Sequence, residues 1–334
     1  MSTNVFSIKN SKQPKSRNNG VRIDVTSKEF PVLMGMSLSV LTLTHKGFRE
    51  PHWHPNANEL SYCTKGLAKM TVFSPNNTRD TFYLKEGDLA FVPMGSIHHI
   101  ENIGDSDAEF LLAFDNTQPE DLELSGSIFS MPAKLLGTLF DKSEDFFAKC
   151  QKVGEDVFIG EMNQEETIKN SDPSALSMNV HESNLQVLTK AGFVKLGNAH
   201  VFPILQNLAC YYLQIFKGGF REPHWHPNAH ELNVVLSGKA KITLYSPDSI
   251  ETFEMNPYDM SFLPQGYFHD IENISDEPLK MAVFFSSELP SDIGLSGVMS
   301  TYSPELLSSL FQIPAASFEA MKKYPLDVFI SGAG

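Results

Sequence analysis

Four side chains in the first half of the chain have the types and order of a metal coordination shell. His52 and His54 flank Trp53, Glu59 follows a turn-like Pro-Asn-Ala-Asn segment, and His98 comes after Pro93-Met-Gly95. On a β-strand, residues i and i+2 point to one face, so His52 and His54 enter the same side of a sheet about 7 Å apart along the strand. A turn before Glu59 can return its carboxylate to that face, and Pro-x-Gly suits a tight turn before His98. A lone His-x-His is more often surface decoration than a ligand pair. The second half changes that reading, because His224, His226, Glu231 and His269 recur in the same order. The repeat also separates neighbours: His99 becomes Asp270 while His98 is kept, and His230 replaces Asn58. His45, His181 and His200 have no mates and read as surface or packing residues. The set is not the closed, cysteine-rich arrangement of structural zinc. Three His and one Glu fill four of six positions around Mn²⁺ or Fe²⁺, and leave two adjacent positions for a bidentate carboxylate, dioxygen or water; zinc and nickel also bind such ligands.

The elements that must place these groups come in two copies. Gly47 to Ala57 and Gly219 to Ala229 carry the same eleven residues, 172 positions apart, and after one residue is lost in a turn the offset becomes 171. Short alternating stretches around Tyr62, Met70 and Val72, punctuated by Gly66, Pro75, Gly87, Pro93 and Gly95, predict an all-β sandwich or barrel in each copy. Each copy then changes texture. Leu135, Leu136, Leu139 and Phe140, and their mates Leu306, Leu307, Leu310 and Phe311, form an apolar helical stripe after Pro132 and Pro304. The expected organisation is an N-terminal tail over 1–20, one domain over 21–160, a linker over 161–185 and a second domain over 186–334. The 334 residues carry 26 Lys+Arg against 40 Asp+Glu, a net charge of −14, which argues against nucleic-acid binding and a basic membrane-facing surface. The start of the chain lacks the apolar stretch of a secretion signal, and Cys63, Cys150 and Cys210 read as reduced thiols, so a cytoplasmic protein is expected.

These residues resemble the two cupin motifs. Gly47, His52, His54, Glu59 and Gly66 match the first, and Gly87, Pro93, Gly95, His98 and Asn102 the second; Gly219, His224, His226, Glu231, Gly238, Pro264, Gly266, His269 and Asn273 repeat them. Two departures fall in turns: Lys46 and Gly218 stand where the family has its first glycine, and Tyr258 where the second motif begins with one. The chain resembles germin-like bicupins, most closely the oxalate decarboxylases. The resemblance implies a double-stranded β-helix barrel with a C-terminal helical extension in each half, a metal in each barrel with manganese foremost, dioxygen as co-catalyst, a small anionic carboxylate substrate and a homo-oligomer. It also gives Arg49 and Arg221, three residues before the first histidine of each shell, the role of holding the substrate carboxylate, which suits a planar guanidinium. Their alternative is a structural pairing with Glu50 or Glu222.

In that family a lid glutamate supplies the proton that makes formate. The corresponding loop here, Asp115 to Gly126, lacks the family's Ser-Glu-Asn-Ser pattern. Glu120 and Glu123 occur only in the first copy, whereas Asp121 and Asp292 occur in both. The asymmetry makes Glu120 or Glu123 the candidate general acid and the first barrel the catalytic one. Competing readings are an oxalate oxidase, a dioxygenase or isomerase acting on another small carboxylate, and a structural or storage bicupin.

Overall fold

Pro51 and Pro223 sit inside the strands that carry the paired histidines, where proline cannot donate to a ladder and marks an edge or a bulge. In a computed structural model of the chain, both strands are bulged. It describes residues 3–11, 14–17, 19–149, 157–163, 173–319, 321 and 330–332. Strand Gly47–Trp53 pairs antiparallel with Ile97–Asn102, His52 opposite His98 and Arg49 opposite Ile100, so that two residues, Glu50 and Pro51, oppose the single His99. The second copy repeats this with His224 opposite His269 and Arg221 opposite Ile271. The extra residue brings Arg49, which a regular strand would point away from His52, onto the same inner face as His52 and His54.

Each copy is a barrel of two antiparallel sheets. In the first, one sheet runs Ser177–Asn179, Asp88–Val92, Glu59–Lys65, Ala108–Phe114, Ser37–Leu43, Gly20–Val25, Lys15–Arg17. The other runs Leu122–Glu123, Gly47–Trp53, Ile97–Asn102, Leu67–Ser74, Thr78–Lys85, with Ile159–Glu161 also on Gly47–Trp53. The second copy has the same order of equivalent strands. Phe82, Phe110 and Phe114 are fully buried in the first core, and Phe262 and Phe284 in the second unit. Each such ring contributes about 1.5–3 kcal/mol of burial.

The compact units are Ser11–Asn179, and Met1–Asn10 together with Val180–Gly334. Strand Val5–Ser7 pairs with Asp259–Leu263 of the second unit, and its mate Ser177–Asn179 pairs with Asp88–Val92 of the first. The expected tail 1–20 is therefore divided, and the expected linker 161–185 ends in a strand of the first unit followed by the start of the second. Three-residue strands carry no periodic signal, and no sequence pattern names their partners. Much of the expected linker, 164–172, lies outside the described residues, as does Cys150.

The stripes form helices Ala133–Phe140 and Pro304–Phe311. Leu136 and Leu307 are buried, whereas Leu135, Leu139, Phe140, Leu306, Leu310 and Phe311 are exposed. Lys46 and Tyr258, the two motif departures, adopt φ of 60° and 69°, so both are turn positions where a side chain is carried in the left-handed region. Among the described residues no helix is long and apolar enough to cross a membrane.

Candidate metal centres

The bulged strands and the turns before Glu59 and His98 bring the expected shells together. One donor atom from each of His52, His54, Glu59 and His98, and one from each of His224, His226, Glu231 and His269, lie within 4.8 Å of one another, all eight residues buried. The Glu59 Oε2 atom is 3.0 Å from His54 Nε2 and 3.4 Å from His98 Nε2. The Glu231 Oε2 atom is 2.8 Å from His226 Nε2 and 3.3 Å from His269 Nε2. One ion at about 2.0–2.2 Å from each donor fits such a set.

The outer nitrogens decide whether the donors suit a cation. His52 Nδ1 faces the Glu50 carbonyl at 2.8 Å, His98 Nδ1 that of Ser96 at 3.2 Å, and His54 Nδ1 that of Glu120 at 2.9 Å. His224, His226 and His269 repeat this on the carbonyls of Glu222, Ser291 and Tyr267 at 2.7, 2.7 and 2.9 Å. A carbonyl only accepts, so each Nδ1 donates, and in the neutral ring Nε2 keeps its lone pair for the centre. Against burial, which lowers it, Asp121 and Glu59 raise His54 to about 9, and Glu231 and Asp292 raise His226, so a bound cation would displace a proton from these two rings. Burial, then the nearby Arg49 or Arg221, hold His52 and His224 in the neutral form. The carboxylates of Glu59 and Glu231 are fixed from outside by Ser61 Oγ and Asn233 Nδ2, each at 2.7 Å. Lone pairs and a carboxylate converging in a buried space fit a divalent cation.

The arginines behave differently in the two barrels. Arg49 grips Glu123 with both arms, at 2.6 and 2.5 Å, and Asp121 lies 3.8 Å away. Asp121 also meets His54 Nδ1 at 3.1 Å and Arg22 at 3.0 Å. In the second barrel Arg221 bonds Asp292 directly, and Gly294 stands where the first has Glu123. The adjacent glutamates, Glu50 and Glu222, accept from the backbone of Ser125 and Ser296 at 3.2 and 3.0 Å. Glu120 is exposed and reaches the site only through its carbonyl on His54.

Burial raises the Glu123 carboxyl to about 7, outweighing Arg49, with Glu50 and Asp121 adding to the rise. Arg22 and Asp24 escaped the reading of the motifs. Arg22 is 3% exposed and bonds Asp24 at 2.7 Å, while Ser39 Oγ donates to Asp24 at 2.6 Å. The repeat holds the signal, since the mates of Arg22, Asp24 and Ser39 are Val194, Leu196 and Tyr211.

Fold and site define a protein of two barrels, each with a three-histidine, one-glutamate centre for a divalent metal. The chain belongs to the cupin family, whose description matches residues 6–144 and 178–316. It is 26% identical over 289 residues to the oxalate decarboxylase of Bacillus subtilis, covering 83% of this chain and 74% of that one. It is also 26% identical over 314 residues to a probable oxalate decarboxylase of Arthroderma benhamiae, covering 89% and 76%. A solved structure concerned with the Mn(II) centres of the Bacillus subtilis enzyme superposes with a TM-score of 0.90 at 22% identity, over 100% of this chain and 90% of that one.

Proposed function

We propose that the chain is a metal-dependent oxalate decarboxylase-like enzyme that converts oxalate and one proton into carbon dioxide and formate, with the first barrel as the catalytic one. The observation that carries this assignment is the two-armed Arg49–Glu123 pair beside His52, His54, Glu59 and His98, which the second barrel lacks. A bound manganese ion, supported by the Mn(II) centres of the Bacillus subtilis relative, would supply positive charge and one-electron chemistry, with dioxygen as co-catalyst.

The chain's own groups do the rest. Arg49 is buried at 1% exposure, so its fork presents a desolvated charge to a carboxylate. Glu123 occupies that fork and must turn away as substrate arrives, which places its carboxyl next to the reacting carbons. With its carboxyl raised to about 7, Glu123 can keep a proton near neutrality and give it up to form the C–H bond of formate. Asp121 stays anchored on Arg22 and His54, and so holds the strand Leu122–Glu123 against Gly47–Trp53.

Three wider features belong to the same reading. Buried free thiols at Cys63 and Cys210 support a reducing, cytoplasmic setting. The exposed apolar faces of the two stripe helices support assembly into a homo-oligomer, and a charge of −14 argues against nucleic acid as a partner. The test is an oxalate assay of manganese-loaded protein with detection of formate and of peroxide. Formate is expected; peroxide without formate would make the chain an oxidase.

A further inference from the structure

The second barrel holds a cavity of about 30 Å³ against its metal donors, with Arg221 and Asp292 at its polar end. The rest of the wall is Val194, Tyr211, Leu213, Val283 and Phe285, with Ile271. Strand register shows how it arises. Arg22 pairs with Leu41 in the first barrel, and Val194 with Leu213 in the second. The next inward pair is Asp24 with Ser39 in the first and Leu196 with Tyr211 in the second. An ion-paired network in one barrel is thus replaced in the other by apolar side chains around a void. That volume corresponds to about two water-sized spheres.

Charge points to the kind of ligand. The cavity is lined by one guanidinium, Arg221, and two carboxylates, Glu231 and Asp292, and its imidazoles donate outward from Nδ1. A divalent ion turns the resulting single negative charge into a single positive one, which one carboxylate neutralises. The first barrel has a second buried guanidinium, Arg22, and the second has none at that position. Tyr211 adds a donor: its phenol oxygen accepts from Asn198 at 3.3 Å, which leaves its own proton for a ligand oxygen.

We propose that the second barrel binds a short-chain monocarboxylate such as acetate or propionate, its carboxylate at Arg221 and its alkyl end against Val194, Leu213 and Val283. The ligand's charge rests on the reading of His224, His226, Glu231 and His269 as a divalent-metal site; the alkyl pocket does not.

The test uses the full chain carrying E59Q, which removes the anionic donor of the first barrel, loaded with zinc so that no redox step intervenes. Zinc content is measured first, then dissociation constants for formate, acetate, propionate and oxalate by calorimetry. One site per chain is expected, with propionate about tenfold tighter than formate. V194I, which adds one methylene to the wall, weakens propionate about tenfold and leaves formate within twofold. V194A keeps the fold under a smaller side chain and moves the preference toward butyrate. Oxalate binding tighter than propionate, formate binding as tightly as propionate, or equal effects of V194I on both monocarboxylates would overturn the proposal. Propionate preference in a chain that holds no zinc keeps the pocket and refutes the metal reading. One zinc per chain without that preference does the reverse.

Discussion

Replacing Arg22 by valine, its counterpart in the second barrel, separates the barrels most sharply. The guanidinium is 3% exposed and bonds Asp24 at 2.7 Å and Asp121 at 3.0 Å, both carboxylates largely buried. Removing one partner of a buried charge cluster costs about 3–5 kcal/mol, because the carboxylates left behind have lost their solvent as well. Part of the effect can be followed by pH. Burial alone would raise the Asp24 carboxyl, but Arg22 above all, then Lys15 and Ser39, pull it from 3.8 to about 2. A depressed carboxyl stabilises the fold above its unfolded value, and that contribution, about 2 kcal/mol, is lost as pH falls from about 4 to about 2. The wild-type advantage over R22V is therefore full at pH 7 and shrinks across that window. The chain has two tryptophans, Trp53 and Trp225, one in each unit, so W225F leaves a reporter of the first unit alone. With a urea dependence of about 2 kcal/mol/M, the Trp53 transition of R22V should move down by about 2 M. The triple change R22V/D24L/S39Y, which rebuilds the apolar wall of the second barrel, should recover most of the loss, since apolar replacement of a buried ion pair is often neutral. A midpoint shift below about 0.5 M, or one independent of pH, would refute the reasoning.

E59Q and E231Q should each lower bound metal from two ions per chain to one, by elemental analysis after dialysis, because each removes the only carboxylate among four donors. Metal at about a thousandfold over its dissociation constant should stabilise a barrel by about 4 kcal/mol, raising its Tm by about 8–16 °C; a chelator should reverse the rise, and E59Q should lose it only in the first unit. E123Q should bind metal and lose formate production by 10²-fold or more. In the wild type, formate production should fall as pH rises through about 7, where Glu123 gives up its proton, and a bound divalent ion moves that midpoint lower. E123Q should show no such limb.

What was legible in the sequence follows from what repeats. The two shells, their turns and the helical stripes occur twice at a fixed offset, and barrel strands alternate, so residue order alone places His52, His54, Glu59 and His98 together. The bulge at Pro51 was not legible as geometry, although it is what puts Arg49 beside His52. The crossing of Val5–Ser7 and Ser177–Asn179 to the other copy's sheet was hidden, because three residues have no period. Glu120 and Glu123 were equivalent as loop acids. The strand Leu122–Glu123 separates them: it sends Glu123 onto Arg49 and leaves Glu120 in solvent. Arg22 lies outside the motifs because motifs follow what the copies share, and the network of Arg22, Asp24 and Ser39 is what they do not.

The central claim is that the first barrel decarboxylates oxalate with Arg49 and Glu123 beside a metal. The most direct measurement gives ¹³C-oxalate to manganese-loaded wild type, E231Q and E123Q, and follows ¹³C-formate, carbon dioxide and peroxide together. Equal formate and carbon dioxide are expected from wild type and from E231Q, and at least about 10²-fold less formate from E123Q. Formate from E123Q at the wild-type rate, or its loss in E231Q with metal still held in the first barrel, would contradict it.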